Sequence, residues 1–154
     1  MIDDLYSARI LTLAANLPFS GRLPEPQGTG TRTAKLCGSR AVADVVLADG
    51  RVVDFAQDVK ACALGQAAAG VLGSAVIGAT VEEIVSGRDA LKVMLAGGPA
   101  PSGRFADLIA LDCVRDYPAR HASTLVAFEA CVDACRMALA TQDDTERTRI
   151  AGAA

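Results

Sequence analysis

The sequence predicts an α+β domain, in which helices pack against a small antiparallel sheet of about three strands. Strand-like alternation is confined to the part of the chain before about residue 60, and helical periodicity follows from Cys62 onward. The Asp49-Gly50 pair indicates a two-residue hairpin turn, because glycine accepts the positive φ that a type I′ turn requires. We expect one domain over residues 1–140 and a polar, frayed tail over residues 141–154.

The first element is predicted to be a helix over residues 3–15. Asp3 and Asp4 place negative charge at its N-terminus, where the helix dipole favours it. Pro18 ends it, since the residue before a proline is pushed out of the α region. A loop rich in proline and glycine follows, and it leads into three predicted strands at residues 29–35, 40–47 and 51–59.

The second half of the chain is predicted to be helical. Glycine and proline separate the predicted helices, which lie at residues 62–77, 81–96, 103–111 and 119–140. The last of them carries apolar residues at three- and four-residue steps, as a helix buried along one side does. These residues are Leu125, Phe128, Val132, Cys135 and Leu139.

Residues 61–81 contain no charged side chain, and such a stretch is long enough to span a bilayer. Seven alanines and four glycines give it little hydrophobic drive, however. We therefore expect a buried core helix and no membrane association.

The composition argues against several classes of protein. A net charge of −3 with scattered basic residues is unlike a nucleic-acid-binding protein, which usually has a basic stripe. An odd number of cysteines without a secretory signal is typical of a reducing compartment, so we expect a cytoplasmic protein. The five cysteines, which we expect to be thiols or metal ligands, are Cys37, Cys62, Cys113, Cys131 and Cys135.

Cys37 and Cys62 are the first candidates for chemistry. Cys37 lies at a corner between two predicted strands, and Cys62 lies where a strand leads into a helix. Junctions at the same end of a sheet can bring such side chains together. A helix N-terminus favours a thiolate, and nearby Lys60 adds to this effect at Cys62. The alternative is that both are small buried apolar residues.

Other residues offer weaker candidates. His121, the only histidine, is either an iron or zinc ligand or a surface residue at a helix start. Cys131 and Cys135 share a helix face, where core packing explains them without a metal. The sequence contains no phosphate-binding loop, Ser/His/Asp triad or zinc-protease motif, and we expect no enzyme activity.

Three spaced segments resemble the ligand frame of the U-type iron–sulfur cluster scaffolds, which include IscU, the NifU N-terminal domain and SufU. The segments are Cys37-Gly38-Ser39, Cys62-Ala63-Leu64-Gly65 and Pro118-Ala119-Arg120-His121-Ala122-Ser123. That family has Asp where this chain has Ser39, and a third Cys where it has Ser123. The resemblance extends from about residue 3 to about residue 140.

The resemblance implies an IscU/SufE-like fold and a scaffold or carrier in iron–sulfur cluster assembly. Cys37 and Cys62 would bind iron, a [2Fe–2S] cluster or zinc, with His121 as a possible third ligand. Ser39 and Ser123 would be weak ligands, since hydroxyls hold their protons tightly, or would only form hydrogen bonds to the nearby backbone. Arg120 would steady an anionic cluster.

The implied partners are a cysteine desulfurase and target apoproteins. A homodimer sharing one cluster would supply four thiolates, the usual number.

Two alternatives remain open. The SufE-type sulfur acceptors resemble this fold and use one cysteine at the position of Cys62 to accept a persulfide sulfur. The loss of two family ligands also fits a degenerate homologue that acts only as a binding module.

Overall fold

The protein is a three-stranded antiparallel sheet with helices on one face, as the computed structural model of residues 6–152 describes it. This confirms the predicted α+β class. The elements are α1 (Ala8–Ala15), β1 (Gly28–Ala34), β2 (Ser39–Ala48), β3 (Arg51–Lys60), α2 (Ala63–Ala75), α3 (Val81–Leu95) and α4 (His121–Gly152). Two 3₁₀ helices, Gly103–Asp116 and Pro118–Arg120, connect α3 to α4. Asp3 and Asp4, at the predicted start of the first helix, lie outside the described residues.

The strands are arranged in the order β1–β2–β3. The turn between β2 and β3 has positive φ at Asp49 and Gly50, at 53° and 74°, which confirms the predicted hairpin. Alternate residues of β2 face the helices and join the hydrophobic core, namely Ala41, Ala43, Val45 and Leu47. The opposite face of β2 therefore carries Arg40, Val42 and Asp44.

The carboxylate of Asp44 is fully buried on that outer face. It accepts hydrogen bonds from Nε of Arg22 at 2.6 Å, from the backbone N–H of Leu23 at 3.0 Å and from the hydroxyl of Thr29 at 2.6 Å. Burial opposes ionisation of Asp44, but these hydrogen bonds outweigh it and lower the pKa of the carboxyl. Asp44 thus holds the loop before β1 against the sheet.

Helix α4 crosses β1 with its backbone in direct contact with the strand. A Cβ at Gly28 would lie 1.9 Å from the carbonyl oxygen of Ala134, and one at Gly30 would lie 2.0 Å from that of Ala130. Only glycine permits this approach, since real Cβ atoms essentially never come within 3.0 Å of another heavy atom. Arg32 reinforces the contact through ion pairs with Asp133 and Glu129 of α4.

The helix α4 continues to Gly152, whereas we expected a frayed tail from residue 141. The side chain of Gln142 explains the first turn of this extension, because it donates to the carbonyl of Leu47 at 2.8 Å and to the side chain of Gln27 at 3.2 Å. No proline interrupts the remaining turns, and Arg149 pairs with Glu146 along the exposed surface. Sequence polarity alone could not distinguish an exposed helix from a frayed end.

The segment predicted as a helix over residues 103–111 is instead a 3₁₀ helix that extends to Asp116. Phe105 interrupts it with φ −106° and ψ 29°, and its ring packs edge-on against Phe128 at a centroid distance of 5.2 Å. This buried contact outweighs the local helical pattern.

The uncharged stretch at residues 61–81 contains the buried helix α2, which ends at Ala75. Within residues 6–152, no helix combines the length and apolar character needed to cross a membrane.

We predict that Gly30→Ala destabilises the protein by at least about 2 kcal/mol, because the added methyl group forces α4 away from β1. Urea unfolding followed by circular dichroism measures the change. Gly152→Ala is the matched control, since a Cβ there meets nothing within 4 Å, and we expect a change within about 0.5 kcal/mol. Equal stability of the two variants would contradict the close contact.

Candidate functional site

The candidate site lies at the end of the sheet where β2 begins and β3 ends. Cys37 is in the turn over residues 35–38 between β1 and β2, and Cys62 is the residue that caps the N-terminus of α2. Ser123 lies in the first turn of α4. The fold therefore gathers the three sequence segments that resemble the family frame.

Gly38 shapes the turn that carries Cys37. Its φ of +67° is in the left-handed region that favours glycine, and it reverses the chain so that Ser39 begins β2. The Sγ of Cys37 then lies 3.2 Å from the Oγ of Ser39, whose side chain is buried.

Gly65 allows α2 to approach α4 at the site. A Cβ at this position would lie 2.7 Å from the carbonyl oxygen of Ser123. The approach places the Sγ of Cys62 at 3.4 Å from the Oγ of Ser123. The Ser123 hydroxyl donates to the carbonyl of Arg120 at 3.2 Å, and because it has a single proton, the Cys62 thiol donates to Ser123 in that arrangement.

The hydroxyl of Ser39 is the main reason that the pKa of Cys37 lies below its ordinary value. Burial opposes this change, while the backbone N–H of Ser39, the hydroxyl of Ser123 and the positive charge of Arg120 each add to it by less. Cys37 is also exposed, unlike the half-buried Cys62. The site thus favours a thiolate at Cys37, which is the form that binds metals and attacks sulfur.

Sequence reasoning had assigned the activated thiol to Cys62 and missed this property of Cys37. The signal that could have revealed it is the hydroxyl residue two positions after Cys37, with a glycine between them. The sequence predicts Ser39 to be a weak ligand or a hydrogen-bond partner of the nearby backbone, whereas its contact with Cys37 makes it a hydrogen-bond donor to the thiolate.

His121 is held by the end of the longer 3₁₀ helix. Its Nε2 lies 3.0 Å from the carbonyl oxygen of Val114 and 3.2 Å from that of Arg115. Both are acceptors, so Nε2 carries the proton and a metal would have to bind Nδ1. In the described part of the chain, no three His, Cys, Asp or Glu side chains are grouped so that they could hold a metal ion. A ligand role for His121 stays a prediction.

Two of the remaining cysteines belong to the core. Cys131 and Cys135 are fully buried along α4, as their place in the apolar pattern predicted. The adjacent Cys135 thiol and burial raise the pKa of Cys131, so its thiol stays protonated. Cys113 is half-buried in the longer 3₁₀ helix.

The donors at the site are two thiols and two hydroxyls. Thiolates are soft ligands that suit iron–sulfur clusters, iron and zinc, whereas serine hydroxyls bind these metals poorly. Cys37 and Cys62 can therefore supply two soft ligands per chain.

Comparison with known proteins gives relatives over almost the whole chain. No family model matches the sequence. The curated "Iron-sulfur cluster assembly scaffold protein IscU" of Thermotoga maritima is 26% identical over 132 residues, which cover 86% of this chain and 93% of the relative.

Solved structures also share the fold. The N-terminal NifU-like protein from Brucella abortus, described as nitrogen-fixing, is 50% identical with a TM-score of 0.87, over 90% of this chain and 96% of that one. A SufU protein from Fervidobacterium islandicum AW-1 is 21% identical with a TM-score of 0.78, over 85% of this chain and 96% of that one, and supports the fold alone.

We predict that iodoacetamide modifies Cys37 first, Cys62 later and the buried Cys131 and Cys135 last, because only an exposed thiolate reacts readily. A lowered pKa means that Cys37 reacts at lower pH than an ordinary thiol, so Ser39→Ala should move its rate profile to higher pH. Mass spectrometry of timed digests across a pH series measures both effects.

The control for this experiment is Ser86→Ala, which removes an exposed hydroxyl from α3. A Cys37 rate profile that is the same in Ser39→Ala and Ser86→Ala would show that Ser39 does not stabilise the thiolate.

Proposed function

This chain belongs to the IscU/NifU-like family of iron–sulfur cluster assembly scaffolds, and we propose from that premise that Cys37 and Cys62 hold its cargo. The chain then works as a scaffold or carrier and has no catalytic activity of its own. One observation supports this most strongly: Cys37 and Cys62, which are 25 residues apart in the numbering of the chain, meet at one end of the sheet around Ser123.

The cargo that fits the two thiols best is iron or a [2Fe–2S] cluster, with zinc as a third possibility. Such a cluster usually has four thiolate ligands, and one chain supplies two. The other two come from a second copy of the chain or from a partner protein. Arg120, whose charge already acts on Cys37, offsets part of the negative charge of a bound cluster.

Incomplete coordination suits a carrier rather than a permanent cofactor site. Cys37 is exposed, so the thiol of an acceptor protein can approach the metal and replace Cys37 by ligand exchange. The partners that the family implies are a cysteine desulfurase, which supplies sulfur, and target apoproteins, which receive the cluster. We place this work in the cytoplasm, where thiols are kept reduced.

We predict that Cys37→Ser and Cys62→Ser each lower bound iron at least about tenfold after anaerobic reconstitution with iron and sulfide, because each removes one of two thiolates. Ser123→Cys should increase the bound iron, since it adds a thiol at a position that already contacts Cys62. Metal analysis and the visible absorption spectrum measure both effects.

The matched control is Cys113→Ser, which changes a half-buried cysteine outside the site. Equal iron content in the wild type, this control and both site variants would refute a cargo site at Cys37 and Cys62.

A second candidate function is sulfur acceptance, and the exposure and lowered pKa of Cys37 favour it. The thiolate would attack the outer sulfur of a persulfide on a desulfurase cysteine. A new S–S bond forms on this chain, the donor S–S bond breaks, and the donor cysteine leaves as a thiolate. The family analogy assigns the acceptor role to Cys62, whereas the structure favours Cys37.

We predict that incubation with a cysteine desulfurase and cysteine adds the mass of one sulfur atom to Cys37, and that Cys37→Ser abolishes this addition. A persulfide found only on Cys62 would support the assignment from the family instead. If no variant binds metal and neither cysteine carries a persulfide, the chain is the degenerate binding module.

A further inference from the structure

Four basic side chains surround the end of the molecule that carries Cys37 and Cys62. Lys35 lies in the turn before Cys37, Arg40 near the start of β2, Lys60 at the end of β3 and Arg120 just before α4. We call these four residues the cationic rim. The sequence shows no basic cluster, because the four residues come from separate segments that only the fold brings to one end.

The rim differs from most of the surface in its ion pairing within the residues that the structure describes. Within residues 6–152, nine basic residues take part in ion pairs with carboxylates, whereas none of the rim residues does. Among the basic residues of the same range, the others without such an ion pair are Arg136 and Arg147, both on the exposed side of α4.

Two of the rim cations lie directly opposite each other. Arg40 and Lys60 are cross-strand partners in β2 and β3, so their side chains emerge on the same face, with Cβ atoms about 5 Å apart. Like charges in this position destabilise a sheet. Asp58 lies diagonal to Arg40 on that face, but it forms no ion pair with either cation within the described residues. The chain therefore retains an unfavourable arrangement beside its site.

An exposed apolar residue lies in the same turn as Lys35 and Cys37. The side chain of Leu36, between Lys35 and Cys37, is 82% exposed, which is the largest value among the large apolar residues described. An exposed apolar side chain beside charged ones is typical of a protein interface, where a buried anchor is enclosed by a polar rim.

We propose that Leu36 and the cationic rim dock an acidic face of a partner protein, with Leu36 in an apolar pocket and carboxylates around it. The inference rests on the proposed function, because a partner docked here would meet Cys37 and Cys62 and exchange sulfur, iron or a cluster with them. Complementary charge speeds encounter and excludes wrong partners, and the leucine anchors the complex.

Charge also argues against a second copy as the occupant. A face-to-face dimer sharing one cluster would bring two cationic rims together, and like charges across an interface oppose binding. A nucleic acid fits poorly as well, since the chain has a net charge of −3 and an exposed leucine gains nothing from phosphates. Both occupants are outcomes of the experiment below.

The probe is purified cysteine desulfurase from the same organism, and the measurement is its Kd for the chain in low and high salt. Raising NaCl from about 50 to about 300 mM should weaken wild-type binding about tenfold, because salt screens exposed charges. The rim double variant Lys35→Gln, Arg40→Gln should bind about tenfold more weakly in low salt and lose much of the salt dependence. Leu36→Ser should weaken binding about tenfold at both salt concentrations.

The matched control is the double variant Arg136→Gln, Arg147→Gln, which removes two cations without ion pairs, the nearer of them about 20 Å along α4 from Ser123. Its Kd should change less than about twofold. Iron content of the rim double variant should equal that of the wild type, because both thiols and Lys60 remain. The two failures are therefore distinguishable. If the docking proposal is wrong, the wild type still binds iron, whereas if the cargo site is wrong, the wild type itself binds none.

Several results would overturn the proposal. These are equal effects of the rim and control variants, wild-type binding that does not depend on salt, and no binding of the wild type at either salt concentration. Sedimentation equilibrium tests the second copy: self-association that Leu36→Ser abolishes would assign this face to a dimer. Salt-sensitive binding of duplex DNA that the rim double variant loses would assign this face to nucleic acid.

Discussion

The backbone of α4 rests on the backbone of β1, and the position of the candidate site depends on this contact. Gly28 lies against Ala134 and Gly30 lies against Ala130. A step of two residues along the strand, about 6.6 Å, therefore corresponds to a step of four residues along the helix, about 6.0 Å. The same correspondence between strand and helix residues, extended to Ala34, places the N-terminus of α4 at the end of β1. The glycines of β1 therefore determine, from a distance, where Ser123 and Arg120 meet the Cys37 turn.

The two cysteines at that meeting point have different surroundings, although each has a serine as its neighbour. Ser39 directly follows the turn that carries Cys37 and stabilises its thiolate, whereas the Ser123 hydroxyl contacts the Arg120 carbonyl and both thiols. Ser39 is thus an uncharged hydrogen-bond donor beside Cys37. It makes the Cys37 anion more stable and is itself a poor ligand for iron or zinc.

Sequence patterns predicted the fold class, the three strands and the convergence of Cys37 with Cys62, because these depend on local periodicity and on which junctions share a sheet end. They did not predict the extension of α4, since Gln142 stabilises its first turn through a contact with Leu47 across the fold. The lowered pKa of Cys37 and the cationic rim were also missed. Both arise from side chains that are unremarkable along the chain and become significant only when the sheet ends and helix starts assemble.

Asp44 has a further role in deciding how the sheet pairs. Strand β2 is buried along nearly its whole length and consists largely of alanine and valine, so apolar burial discriminates poorly between neighbouring alignments. A shift of one residue would turn the Asp44 carboxylate toward the helices, away from Arg22, Leu23 and Thr29, and an uncompensated buried charge costs several kcal/mol. Asp44, on the face opposite the core, thus determines the register of β2 in the sheet and keeps Cys37 and Cys62 at the same end.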